Sequence, residues 1–226
     1  MRTDRPARWR TEAISLSTAG LHDAWPVLGP EERLCRIGEP IDRALVLGSS
    51  TASHAFDIER ARRDGLTVVR RGSGGGAVLV EPGSQIWLML YLRLDDPLVP
   101  WDLGASFLWL GAAVAGVLRG LGLRADVVEE RQPRTDLGRL ICFGDLGFGE
   151  VTVAGAKVLG LAQRRSRGQA CFQLSLLWWE HQSTLRDLLV ADQMLDQPLR
   201  VAGLSPLVSV SRQNLQDQVV RAITAL

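Results

Sequence analysis

The chain has 226 residues and a mass of 24.7 kDa, a size that suits one large domain. Its 46% hydrophobic and 23% charged residues exclude a disordered chain, and 26 basic against 25 acidic residues leave none of the basic excess that nucleic-acid binding requires. Cys35, Cys142 and Cys171 are too widely spaced for a disulfide framework or a cysteine metal site, and free thiols point to a reducing compartment.

The N-terminal residues lack the apolar core of a signal peptide. The longest apolar run, 107–118, is broken by glycines and too short for a bilayer, so a cytoplasmic location without membrane contact is expected. Weak alternation over 11–17 fits an edge strand, and the apolar run 43–48 reads as a buried strand. Asp57 opens a short helix over 57–64, Gly65 ends it, and 66–70 is β-rich. Further strands are expected at 77–80 and 86–94. The strongest helix covers 102–121, where Leu103, Phe107, Leu110, Val114, Val117 and Leu121 recur at spacings of three and four. Asp102 suits its start and Gly122 its end. Strands follow at 125–128, 150–153, 157–162 and 171–176; 185–190 looks helical, and Ser209 or Ser211 is placed to cap a last amphipathic helix. These elements predict one α+β unit over 1–226 with a largely antiparallel or mixed sheet flanked by helices, and a helical C-terminal part over 178–226.

Between the strands at 66–70 and 77–80 stands Arg70-Arg71-Gly72-Ser73-Gly74-Gly75-Gly76-Ala77-Val78. Adjacent glycines cost backbone entropy but let amides face an anion without an intervening Cβ. The stretch lacks both the Gly-Lys-Ser/Thr ending of a P-loop and the spacing of a dinucleotide fold. On residue chemistry two readings stand, a hairpin turn or an anion-binding loop. The arginine runs at 60–71 and 164–167 read, by themselves, as solvated surface. His22, His54 and His181 are scattered and support neither a metal site nor a Ser-His-Asp triad.

The glycine stretch resembles the double-arginine, triple-glycine signature of the biotin/lipoate protein ligase superfamily, on its lipoate side. A second block, 154–165 (AGAKVLGLAQRR), resembles that family's lysine segment, and the two occur in its order; the resemblance is clearest over 44–177. It implies the family's class II synthetase-like catalytic fold. It also implies transfer of a lipoyl or octanoyl group to a lysine of a lipoyl domain, of the dehydrogenase E2 or glycine-cleavage H-protein type. Lys157 would contact the acyl carbonyl and, in ligases, the phosphate of an acyl-adenylate. Arg70, Arg71, Ser73, Gly74, Gly75, Gly76, Ala77, Val78, Leu79, Gly160 and Ala162 would line the carboxyl and nucleotide site. Without the resemblance, a lysine between Val153 and Val158 reads as an exposed edge charge. Cys142-Phe143 resembles the nucleophile region of an octanoyltransferase group that takes octanoate from acyl carrier protein without ATP; a core cysteine is the other reading of Cys142.

The chain departs from the family pattern in several places, and the usual first-helix signature, an Asn followed by a Glu-rich amphipathic run, is missing from 16–28. Leu161 replaces a serine, Gln173-Leu174-Ser175 stands where many relatives have His-Gly-Ser, and Leu79-Val80-Glu81 replaces Tyr-His-Asp. The favoured expectation is an ATP- and Mg2+-dependent lipoate–protein ligase. A Cys142-dependent octanoyltransferase and a non-catalytic acyl- or nucleotide-binding relative are the alternatives.

Overall fold

The computed structural model describes residues 7–130, 132–190 and 198–226. Its first strand, β1 (Arg8–Leu16), is longer than the alternation implied, and α1 (Thr18–Asp23) follows with the Ser17 side chain accepting from the Gly20 amide. No periodicity announces β2 (Glu32–Pro40), which pairs in parallel with β1. Its charged residues hide the pattern of a strand: Arg33 and Arg36 are buried because they pair with Asp96 and Glu12, at 2.8 and 2.6 Å.

Next come β3 (Ala44–Leu47), α2 (Ile58–Arg63), β4 (Thr67–Arg70), β5 (Val78–Val80) and β6 (Gln85–Arg93). The long helix, α3 (Ala105–Gly120), begins later than expected, but the Asp102 carboxylate does accept from the Ala105 amide. The rest of the chain forms β7 (Ala125–Val127), α4 (Asp136–Leu140), β8 (Val151–Val153), β9 (Ala156–Ser166), β10 (Gln169–Leu177) and α5 (Arg212–Thr224). Ser211, not Ser209, caps α5 by accepting from the Asn214 amide. The helix expected at 185–190 is instead a 3-10 segment, Gln182–Leu188. Residues 191–197 of the helical C-terminal part lie outside the described residues.

Seven strands form one mixed sheet in the order β1-β2-β6-β10-β9-β8-β7, and β4-β3-β5 form a second. The central strand β6 is buried on both faces. Ile86, Leu88, Leu90 and Leu92 pack with α3 and α5, while Trp87, Met89 and Tyr91 meet Ala44, Val46 and Val80 of the small sheet. This is the period of two of a strand expressed as two separate cores. Leu45, Leu47 and Leu79 on the far side of the small sheet pack with Ala61, Leu137 and Leu185. The layers are therefore helices, large sheet, small sheet, and short helical segments. Among the described residues no helix is long and apolar enough to cross a membrane.

Candidate functional site

The glycine loop between β4 and β5 is shaped from within by Arg71. Its backbone amide donates to Leu47 O, and its Nη2 donates to Gly74 O and Gly76 O, both at 2.9 Å. Gly75 bends through φ +97, a conformation that disfavours any side chain. At Gly76 the loop meets a second segment so closely that a Cβ would lie 2.6 Å from the Ile141 carbonyl carbon. That contact is fastened by Ala77 N to Leu140 O at 2.6 Å and by Cys142 N to Ala77 O at 2.8 Å. The sequence motif thus serves to bring Cys142 beside the glycines.

Lys157, near the start of β9, is not the exposed edge charge of a surface strand. It is 1% exposed, and its ammonium meets Glu150 Oε2 at 2.6 Å and the carbonyls of Cys142 and Asp145 at 2.8 Å each. An ammonium has three donors, so all are engaged. Glu150 also accepts from the Gly147 and Leu161 amides. Burial pushes its carboxyl above the ordinary range, opposed by Lys157 and those amides.

Two cavities meet at Cys142. A wider cleft of about 440 Å³ runs past Gly74, Gly75, Gly76, Phe107, Asp145 and Lys157. A narrow slot of about 50 Å³ enters between the two sheets past Val78, Trp87, Gly160, Leu174 and Arg71. Cys142, Leu161 and Ala162 line both. Burial lowers the proton affinity of Arg71, while the adjacent Cys142 sulfur raises it.

In the slot, Gln173 Nε2 lies 3.0 Å from His22 Nδ1. His22 comes from α1, so its partnership with Gln173 spans 151 residues and no local signal announces it. Burial pushes His22 down to about 4, with the Arg71 and Arg164 charges adding to the effect. Glu150 was missed for the same reason: only the fold places it against Lys157.

Four expected residues stand apart from both cavity linings. Arg70 braces the loop after β3, its Nη1 donating to Gly48 O and Thr51 O at 2.8 and 3.0 Å. Ser73 donates to Gln173 Oε1 at 3.2 Å. Ala77 and Leu79 are buried on the far face of the small sheet, where both backbone groups of Leu79 bond to the Gln182 amide. Alternation along β5 turns Val78 and Val80 inward and Leu79 away.

Residues 28–224 match the family model of the lipoyl protein ligase A/B catalytic domain. The chain is 34% identical over 114 residues to the octanoyltransferase LipM of Moorella thermoacetica, covering 50% of this chain and 41% of that protein. It is 24% identical over 171 residues to the octanoyltransferase LipM of Macrococcus caseolyticus, covering 73% and 60%. The chain therefore spans less than two thirds of the length of these curated relatives. Among solved structures, a bi-partite lipoate protein ligase from Thermoplasma acidophilum superposes with a TM-score of 0.69 at 19% identity, covering 97% of this chain and 83% of that one. P. falciparum LipL1 in complex with lipoate gives 0.68 at 14%, covering 98% and 62%. At those identities the likeness shows the fold: the same α+β catalytic architecture.

Proposed function

Because the chain belongs to the lipoyl protein ligase A/B catalytic-domain family, we propose that it transfers an octanoyl group through Cys142 to a lysine of a lipoyl domain. One observation carries this reading. Cys142 lies where a wide cleft meets a narrow apolar slot, so a carbonyl at its sulfur faces an apolar recess for an alkyl tail on one side and space for an incoming thioester or amine on the other. The names of the relatives favour the same route, since they are octanoyltransferases.

The steps follow thioester chemistry. The Cys142 thiolate attacks the carbonyl of an octanoyl thioester on acyl carrier protein; a new C–S bond forms, the old one breaks, and the carrier thiolate leaves and takes a proton. A neutral lysine amine of the lipoyl domain then attacks the enzyme thioester; the C–N bond forms, the C–S bond to Cys142 breaks, and the proton that the nitrogen loses goes to the departing sulfur, restoring the Cys142 thiol. Lys157 holds the Cys142 and Asp145 carbonyls, which fixes the nucleophile's segment.

The ATP-dependent route expected from the motifs fits these residues less well. Lys157, the residue expected at the acyl-adenylate phosphate, is already paired with Glu150 and has no free donor. No step is therefore assigned to ATP or Mg2+.

Intact-mass spectrometry with octanoyl carrier protein and no nucleotide tests the proposal. The wild type should gain one octanoyl adduct that hydroxylamine removes, and Cys142→Ser should gain none. Transfer that requires ATP and survives Cys142→Ser would overturn it in favour of a ligase.

A further inference from the structure

Arg71 is 4% exposed, and its Nε and Nη1 have no hydrogen-bond partner. Among the described residues, the other buried arginines are ion-paired, Arg33 to Asp96 and Arg36 to Glu12. The guanidinium donates to the Gly74 and Gly76 carbonyls through Nη2, and the nearest group able to carry negative charge is the Cys142 sulfur. A buried cation is costly unless an anion answers it. Holding two neutral carbonyls does not require that expense, so the free side of the guanidinium calls for a negative atom.

The place of that atom is set by the surroundings. Arg71 and Cys142 line the same slot. A Cβ built on Gly75 would sit 2.9 Å from Arg71 Nη2 and 4.0 Å from Cys142 Sγ, so the guanidinium and the sulfur lie close to the same turn of the loop. Lys157, the residue that the family resemblance assigns to the acyl carbonyl, has all three donors committed. In attack on a thioester, the negative charge develops on the carbonyl oxygen beside the attacked carbon, one bond from the sulfur's target.

We propose that Arg71, rather than Lys157, donates to the oxyanion formed at Cys142, through the N–H groups of its Nε and Nη1. This inference rests on the octanoyl-transfer reading above. The guanidinium is preorganised: its Nη2 is anchored to the loop, and the charge it stabilises is present mainly in the transition state. Arg71 is thereby a catalytic residue and Lys157 a positioning residue.

The test compares two reactions of the same sulfur, each measured on its alkaline rate plateau so that thiol ionisation cancels. Acylation by octanoyl carrier protein builds an oxyanion; alkylation by iodoacetamide does not. Arg71→Met should lower the acylation rate about a hundredfold or more, the cost of one lost oxyanion donor, and leave alkylation within about threefold. Arg71→Lys should recover part of the acylation rate. Parallel loss of both reactions would show that Arg71 only supports the loop, and retention of both would show that it does neither; either result overturns the inference. If the wild type forms no thioester at all, it is the octanoyl-transfer reading that has failed, a result distinct from these.

Discussion

Removing the ammonium of Lys157 takes away three hydrogen bonds and leaves the Glu150 carboxyl buried with no opposite charge. Breaking a buried pair from one side costs about 3–5 kcal/mol. Lys157→Met should therefore unfold at markedly lower urea, and lost activity in that variant would not by itself report on chemistry. Combining it with Glu150→Gln should restore most of the stability while leaving acyl transfer impaired, because nothing then holds the Cys142 and Asp145 carbonyls. A double variant with full transfer would remove Lys157 from the positioning role. The sequence made Lys157, Arg71, Cys142 and the glycines legible because a motif and its backbone demands are local. It did not separate Arg70 from Arg71, adjacent residues that point to opposite sides at the end of a strand, nor did it reveal Glu150 or His22, whose partners are brought by the fold.

The long helix is read most clearly in advance because its burial is mostly apolar. The helix α3 announced itself through the spacing of Leu103, Phe107, Leu110, Val114, Val117 and Leu121. Of these, Leu110 and Val114 are fully buried while Leu103 is exposed, and Leu118 takes a place in the core instead. By contrast, β2 buries arginines through ion pairs, and the segment Gln182–Leu188 buries Leu185 and Leu188 without completing an α-helix. The strand β9 allows a test of where the acyl tail lies. A Cβ on Gly160 would stand 3.0 Å from the Phe143 ring, at the wall of the slot. Gly160→Val should shift loading of Cys142 from octanoyl towards butyryl thioesters by at least about tenfold in relative rate, as a filled slot shuts out the longer chain. An unchanged ratio would place the tail elsewhere.

Taken whole, the molecule closes its slot where α1 and the two sheets meet, and it buries an ionisable ring there. His22 has its ordinary value of 6.5 pushed to about 4. Between those values the unfolded chain binds the proton and the folded chain does not, so stability rises with pH. The contribution is present above 6.5 and is lost as pH falls towards 4. It amounts to about 3 kcal/mol at about 1.4 kcal/mol per unit. Urea midpoints should fall between pH 7 and pH 4.5, and His22→Gln should flatten that slope; equal slopes would show that other groups govern it.

The clamp that Lys157 places on the Cys142 and Asp145 carbonyls also bears on time. On the octanoyl-transfer reading, the segment that carries the nucleophile is held in place before any substrate arrives. The time of a turnover would then go to the docking of an acyl donor and the departure of an acylated product, and its pace would be set by the traffic of protein partners.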